Sequence, residues 1–399
     1  MFFTVILRSI ELRFEFNLPL VRYASILYCT FLLLKTITIS ESFKTRFHGI
    51  STFLISILLF FLFYSVFIGL TDITDTARNY IKLKQFVGEK ALLFSIPLLL
   101  FIRPNPEFWK PFIKYSYLLL FILLPFLVLD IATYLTIEKS PEGLIRATAG
   151  ASGFLLLISP YFKDGKKNFI LAIYLISFLF MLYHARRNMV LYFGSFFIFY
   201  YYLNFFSNTV LLKVSRWKTV LNTFVLGIIG SIVFLFSNLD FSLFFERAGT
   251  GFESRDVVFE DFFIDIVPFS KDFYFGRGMF GAFYSSFTDY DKYGNEGTGF
   301  RDGIENGYLK LILNFGFIYL LCFVILSLMA FFKGFVDSNN LMAKSCGALV
   351  LINLVDMIGF GIPELTFRYF LVWLALAFCF ARSFRKLSDL EIINLVFAK

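Results

Sequence analysis

GISTFLISILLFFLFYSVFIGL, residues 49–70, runs for 22 positions without one charged side chain. A helix advances 1.5 Å per residue, so about 20 mostly apolar residues carry it across the roughly 30 Å hydrocarbon core of a bilayer. This stretch meets that condition. Working outward from it, further apolar runs of comparable length are predicted as helices near 19–39, 86–102, 112–136, 143–160, 168–184, 188–206, 219–236, 308–332, 341–361 and 367–383. The run at 86–102 is the weakest, being short and containing Pro97.

Composition agrees. Hydrophobic residues make up 58% of the 399 positions and charged residues 17%, with a mean hydropathy of +0.74, whereas a soluble domain carries about 25% charged residues. The 60 phenylalanines exceed what a soluble core of this size can hide, but a lipid-facing surface accepts them. The predicted fold class is therefore all-α: a polytopic integral membrane protein of about eleven (10–12) transmembrane helices with one long extracytoplasmic loop. Residues 1–236 would hold helices one to eight, 237–304 the loop, and 305–399 the last three helices with a cytoplasmic tail.

Short loops set the orientation. Lys44 with Arg46, Arg103 with Lys110, Lys163 with Lys166 and Lys167, Lys213 with Arg216 and Lys218, Lys333, and Arg382 with Arg385 and Lys386 alternate with connections poorer in positive charge. Those clusters mark the cytoplasmic side. The same rule accounts for the formal charge of +8, so no nucleic-acid partner is inferred. Cys29, Cys322, Cys346 and Cys379 all lie in apolar runs with no metal-ligand spacing, and neither a disulfide framework, a metal site nor a cofactor is expected. The opening MFFTVILRSIELRFEF, interrupted by Arg8, Glu11, Arg13 and Glu15, reads as an interfacial helix, with a twelfth span at residues 1–18 as the alternative.

The loop from Ser237 to Ile304 differs from everything around it. Its twelve acidic and six basic residues give −6, against +14 for the rest of the chain. Loops this long are largely exempt from the charge rule, and structureless stretches of this length are commonly functional lids or binding elements.

Charges within or at the ends of spans are expensive and usually face a water-filled cavity. Asp130, Arg146, His184, Arg186, Arg187, Asp356, Glu364 and Arg368 all fall toward the outer half of the membrane, where a single polar chamber would hold them. Asp356 stands out, because a carboxylate cannot snorkel far from VLINLVDMIGFG. In HARRN, two arginines open a span, where their charge opposes the helix dipole. A phosphate ligand would favour them, since guanidinium forks match phosphate oxygens and stay charged when partly desolvated. Arg247, Arg255, Arg277 and Arg301 could complete such a clamp, or could pair with acidic residues inside the loop.

Three stretches read in order carry a family resemblance: YHARRNMVLYFGS; SRDVVFEDFFIDIVPFSKDFYFGRGMF with its Gly276 and Gly278; and ENGYLKLILNFGFIYLL, where Glu305, Asn306, Gly307, Tyr308 and Leu309 precede a span. Together, over roughly residues 180–330, they resemble the O-antigen polymerase and ligase superfamily. Ligases of that superfamily typically carry His where Glu305 stands, so the resemblance favours the polymerases. It implies metal-independent glycosyl transfer on the periplasmic face of a bacterial inner membrane, from an undecaprenyl-pyrophosphate-linked oligosaccharide donor to a second lipid-linked acceptor. Membrane lipid and a chain-length-determining copolymerase are the other expected partners. In those terms Arg186, Arg187 and Arg255 would bind the diphosphate, with Arg277 and Arg301 in reserve and Asn306 and Tyr308 lining the site. Glu305 would be the base, with His184 as its rival. A ligase acting on lipid A core and a flippase for polyprenyl-linked sugars are the alternatives. The flippase reading is weakened because no internal repeat is visible and the loop is 68 residues long.

Overall fold

The computed structural model describes residues 47, 49–72, 82, 85–86, 90–137, 142–183, 187–206, 254–286, 299–359 and 366–397, with residues 24 and 28 as isolated positions. The predicted helix at 219–236 lies outside this set, as does that at 19–39 apart from residues 24 and 28. What is described is mostly helical. In chain order come α1 (Ile50–Asp72), α2 (Ala91–Ser95), α3 (Trp109–Ile137), α4 (Glu142–Leu157), α5 (Asp164–Tyr183) and α6 (Arg187–Phe206). The loop then supplies α7 (Ser254–Asp265), α8 (Lys271–Phe275) and a two-stranded antiparallel ribbon, β1 (Phe283–Tyr284) and β2 (Phe300–Arg301). In the ribbon Phe283 faces Arg301 and Tyr284 faces Phe300. After the loop come α9 (Gly307–Phe315), α10 (Phe317–Phe331), α11 (Leu341–Asp356), α12 (Phe367–Phe380) and two short C-terminal helices, α13 (Arg382–Arg385) and α14 (Asp389–Ile392).

By length and composition two described helices are able to cross a membrane: Ile50–Thr71, and Phe317–Val336, where α10 continues into a π turn. They pack against each other. The outer faces of both are strongly apolar. Phe53, Phe60, Phe63 and Phe67 of α1, and Leu321, Ile325 and Leu328 of α10, are exposed. Large rings standing outward in a row are unfavourable in water and ordinary in lipid.

The interior is built around α11 and α12. In FRYFLVWLALAFCF every residue of α12 except Phe370 is buried, as expected of a helix apolar on all sides. It packs on α11, on α4 and on the 3-10 turn Ile96–Phe101 that follows α2, while α11 packs on α10 and α6. Trp109, at the start of α3, stacks on Phe154 of α4 at 5.1 Å and meets Phe378 of α12 at 5.0 Å.

Two expected helices take a different form. The run at 86–102 becomes the short α2 and then the 3-10 turn whose second residue is Pro97, a residue with no N–H to donate to a helical ladder. The run at 308–332 is broken at Gly316, which has φ +89°. A Cβ there would fall 2.1 Å from the carbonyl oxygen of Tyr274. The loop backbone passes so close to this point that only glycine fits, and α9 and α10 are separate helices for that reason.

Candidate functional site

The polar residues gather where the chain leaves the loop. Asn306 caps α9: its Oδ1 accepts from the amides of Tyr308 at 3.0 Å and Leu309 at 3.1 Å. Its Nδ2 donates to the carbonyl of Ile358 at 3.0 Å. The Gly307 amide donates to the Met357 carbonyl at 2.8 Å, and the Tyr308 hydroxyl to the Leu354 carbonyl at 2.6 Å. Four groups of a five-residue motif are thus spent on the start of α9 and the end of α11. Those bonds satisfy carbonyls that a helix C-terminus otherwise leaves open. Glu305, one position before the cap, is exposed at this junction.

The last residue of α11 is Asp356, and beside it lies Arg368 from the first turn of α12. Arg368 Nη1 donates to Asp356 Oδ2 at 2.8 Å, and the two side chains are 3% and 2% exposed. Thr366 sets the start of α12 by accepting from the Tyr369 amide. The guanidinium lies over the ring of Tyr192, 4.8 Å from its centroid, so a carboxylate and an aromatic face both compensate its charge. Tyr192 belongs to α6. On α4, Gly150 leaves the space: a Cβ there would meet Arg368 Cγ at 2.7 Å. Helices α4, α6, α11 and α12 therefore converge on one ion pair. A cavity of about 10 Å³, the room of a single water, adjoins it between Tyr192, Phe196, Asn353 and Arg368.

The body of the loop is organised by Arg277. Its Nε donates to Asp272 Oδ2 at 2.8 Å and its Nη1 to Asp265 Oδ2 at 2.5 Å. Nη1 and Nη2 also donate to the carbonyls of Ala282 and Asp265. Burial acts to raise the Asp265 carboxyl, but hydrogen bonds from Arg277 and the Tyr284 amide, with the charge of Arg277, hold it below the ordinary carboxylate value. Asp261 Oδ2 accepts from the Ser285 hydroxyl and from the amide and hydroxyl of Ser286, tying β1 to α7.

The loop is also fastened to the helices. The Met279 amide donates to the Ser65 carbonyl on α1, and the Arg277 amide to the Leu313 carbonyl on α9. Asn314 Nδ2 donates to the Gly278 carbonyl at 2.9 Å, and the Ser65 hydroxyl to the Asn314 carbonyl at 2.8 Å. Residues 276–279 form a wedge between α1 and the α9–α10 break.

Among the residues singled out from sequence, Asn306 and Tyr308 bond the end of α11 that carries Asp356, and Glu305 precedes them in the chain. Arg277 is occupied by two carboxylates, the intraloop pairing considered for it. Arg301 is half-buried on β2 and its Nε donates to the Gly303 carbonyl. Arg187 is the first residue of α6, five positions before Tyr192, and Arg255 stands in the first turn of α7; their side chains are not among those described. His184 and Arg186 lie outside the described residues. Sequence reasoning flagged Asp356 and Arg368 singly and passed over Tyr192, Gly150 and Asn353. An aromatic and a glycine in apolar helices carry no signal of their own until a charge is known to face them.

None of the family models, curated proteins or solved structures compared with the chain matches it.

Proposed function

We propose that the chain is a polytopic protein of a bacterial inner membrane that polymerises undecaprenyl-pyrophosphate-linked oligosaccharide units on the periplasmic face. The observation that carries this reading is the joining of the loop's return, Asn306 to Tyr308, to the end of α11, whose last residue Asp356 pairs with Arg368. It supports one outward-facing polar junction in an otherwise apolar helical body, reached from α6 by Tyr192.

The reaction asks little of the protein beyond placement and charge. An acceptor hydroxyl oxygen attacks the anomeric carbon of the donor sugar, the bond from that carbon to the diphosphate oxygen breaks, and undecaprenyl pyrophosphate leaves with the electron pair. Glu305 takes the hydroxyl proton. Arg186, Arg187 and Arg255, with Arg301, stabilise charge developing on the diphosphate. Arg277 shapes the loop that carries Arg255 and Arg301. The Asp356–Arg368 pair fixes the helix ends beneath.

The test is to supply the purified chain, in vesicles, with a lipid-linked repeat unit and no core acceptor. A ladder of longer lipid-linked chains is expected. A unit that stays single, whether idle or merely moved across the bilayer, overturns the assignment; transfer of the single unit onto lipid A core, once that is added, makes the chain a ligase.

A further inference from the structure

The loop carries an apolar surface that its own fold does not use. On α7, Val258, Phe262 and Ile266 are buried and Asp261 and Asp265 bond the ribbon and Arg277. The C-terminal end of the helix and the turn after it nevertheless expose Phe263, Ile264, Val267 and Phe269, with Ile264 74% and Phe269 79% exposed. Phe269 does so at φ +68°, among the described residues a solitary non-glycine case of a left-handed backbone. A bulky residue is rarely held there, and this one is mostly exposed.

That ring does not stand alone. Phe269 meets Phe273 and Tyr274 at 6.2 and 6.3 Å; Phe273 stacks on Phe317, the first residue of α10, at 5.1 Å. Phe275 meets Phe61 and Tyr64 of α1 at 5.8 and 6.1 Å. Aromatic contacts therefore run from the exposed turn to α10, and Phe275 of the same segment packs on α1; these are the two helices long and apolar enough to cross a membrane. Phe61 and Tyr64 lie 11 and 8 residues before the end of α1, which places Phe275 about 12 to 16 Å below that end at 1.5 Å per residue. Charge on this side is arranged to suit lipid. Asp265 and Asp272 share the one guanidinium of Arg277, and the exposed Lys271 beside Asp272 adds a second positive charge to this turn.

We propose that the turn from Phe263 to Phe275 is a membrane anchor of the long loop, seated in the outer leaflet of the bilayer. The inference rests on the reading that α1 and α10 cross the membrane with the loop outside, and it adds that this loop is not a free lid. Residues 263–275 are held in lipid and residues 276–279 by the wedge, so any opening at the junction must come from elsewhere in the loop.

The test uses the full chain with its cysteines replaced, carrying one nitroxide at a time and reconstituted in phospholipid vesicles. Accessibility to oxygen, which concentrates in lipid, is compared with accessibility to a water-soluble nickel chelate. Labels at Ile264 and Phe269 are expected to favour oxygen, as labels at Phe63 and Leu321 on the two spans do, while one at Tyr284 on the ribbon favours nickel. If Ile264 and Phe269 favour nickel while Phe63 and Leu321 favour oxygen, the anchor is refuted and the membrane reading stands. If all four favour nickel, both fall. If neither collider reaches Ile264 and Phe269, protein covers the patch and the proposal is wrong.

Discussion

Arg368 donates its Nη1 to Asp356 Oδ2 at 2.8 Å with both side chains almost fully buried, and so fastens the start of α12 to the end of α11. Removing one member of a buried pair strands the other charge and typically costs about 3–5 kcal/mol, whereas replacing both by apolar groups of similar volume is often neutral. Asp356→Leu and Arg368→Met are each expected to lower thermal stability in detergent sharply, and the double variant to recover most of the loss. A double variant no better than the worse single one contradicts a simple pair.

Asn306 performs two tasks that separate by substitution. Asn306→Ala removes the cap of α9, at about 0.5–2 kcal/mol, and the donor to the Ile358 carbonyl as well. Asn306→Asp keeps the acceptor for the Tyr308 and Leu309 amides and loses only that donor. Stability in the order wild type, Asp, Ala is expected from thermal melts. Equal loss in both variants would mean that the tie to Ile358, not the cap, matters.

How much of this was legible in the sequence differs from place to place. Helices α1, α6, α11 and α12 follow from unbroken apolar runs, because such a run has one way to hide its backbone from lipid or from a core. The break at Gly316 was not legible. In LILNFGFIYLL a lone glycine costs a helix only about 1 kcal/mol, and the cause, the Tyr274 carbonyl, lies 42 positions upstream. Asp356 and Arg368 were visible as misplaced charges, but their partnership depends on how α11 and α12 pack. Arg277 showed the opposite limit: a phosphate clamp and an ion pair look alike until the neighbouring carboxylates are located.

The Asp265 carboxyl gives the loop a pH signature. A carboxyl whose folded pKa lies below its unfolded value adds stability above the unfolded value and loses it as pH falls through the folded one. Hydrogen-exchange protection of the Tyr284 amide, which donates to Asp265 Oδ2 at 2.9 Å, should therefore hold steady from neutral pH to the ordinary carboxylate range, after correction for intrinsic rates, and decline below it. Asp265→Asn should flatten that decline. Protection already lost near neutral pH contradicts the ion pair as the loop's fastening.

On the proposed chemistry, Arg186→Ala, Arg187→Ala and Arg255→Ala abolish polymer in cells while the protein still accumulates in the membrane. Glu305→Gln lowers turnover more than it weakens substrate binding. A normal polysaccharide ladder from all three arginine variants removes the clamp. Wild-type rates from the glutamine variant across pH would give the base to another group.

All of this requires the segment from Ser237 to Ile304 to face away from the cytoplasm. Asp302, exposed at the end of β2, offers the reporter: Asp302→Cys treated with a membrane-impermeant maleimide in cells whose outer membrane alone has been opened. Labelling from outside, at the level reached after full lysis, is the predicted result. Labelling only once the inner membrane is broken places the loop in the cytosol, and the glycan-polymerising assignment ends there.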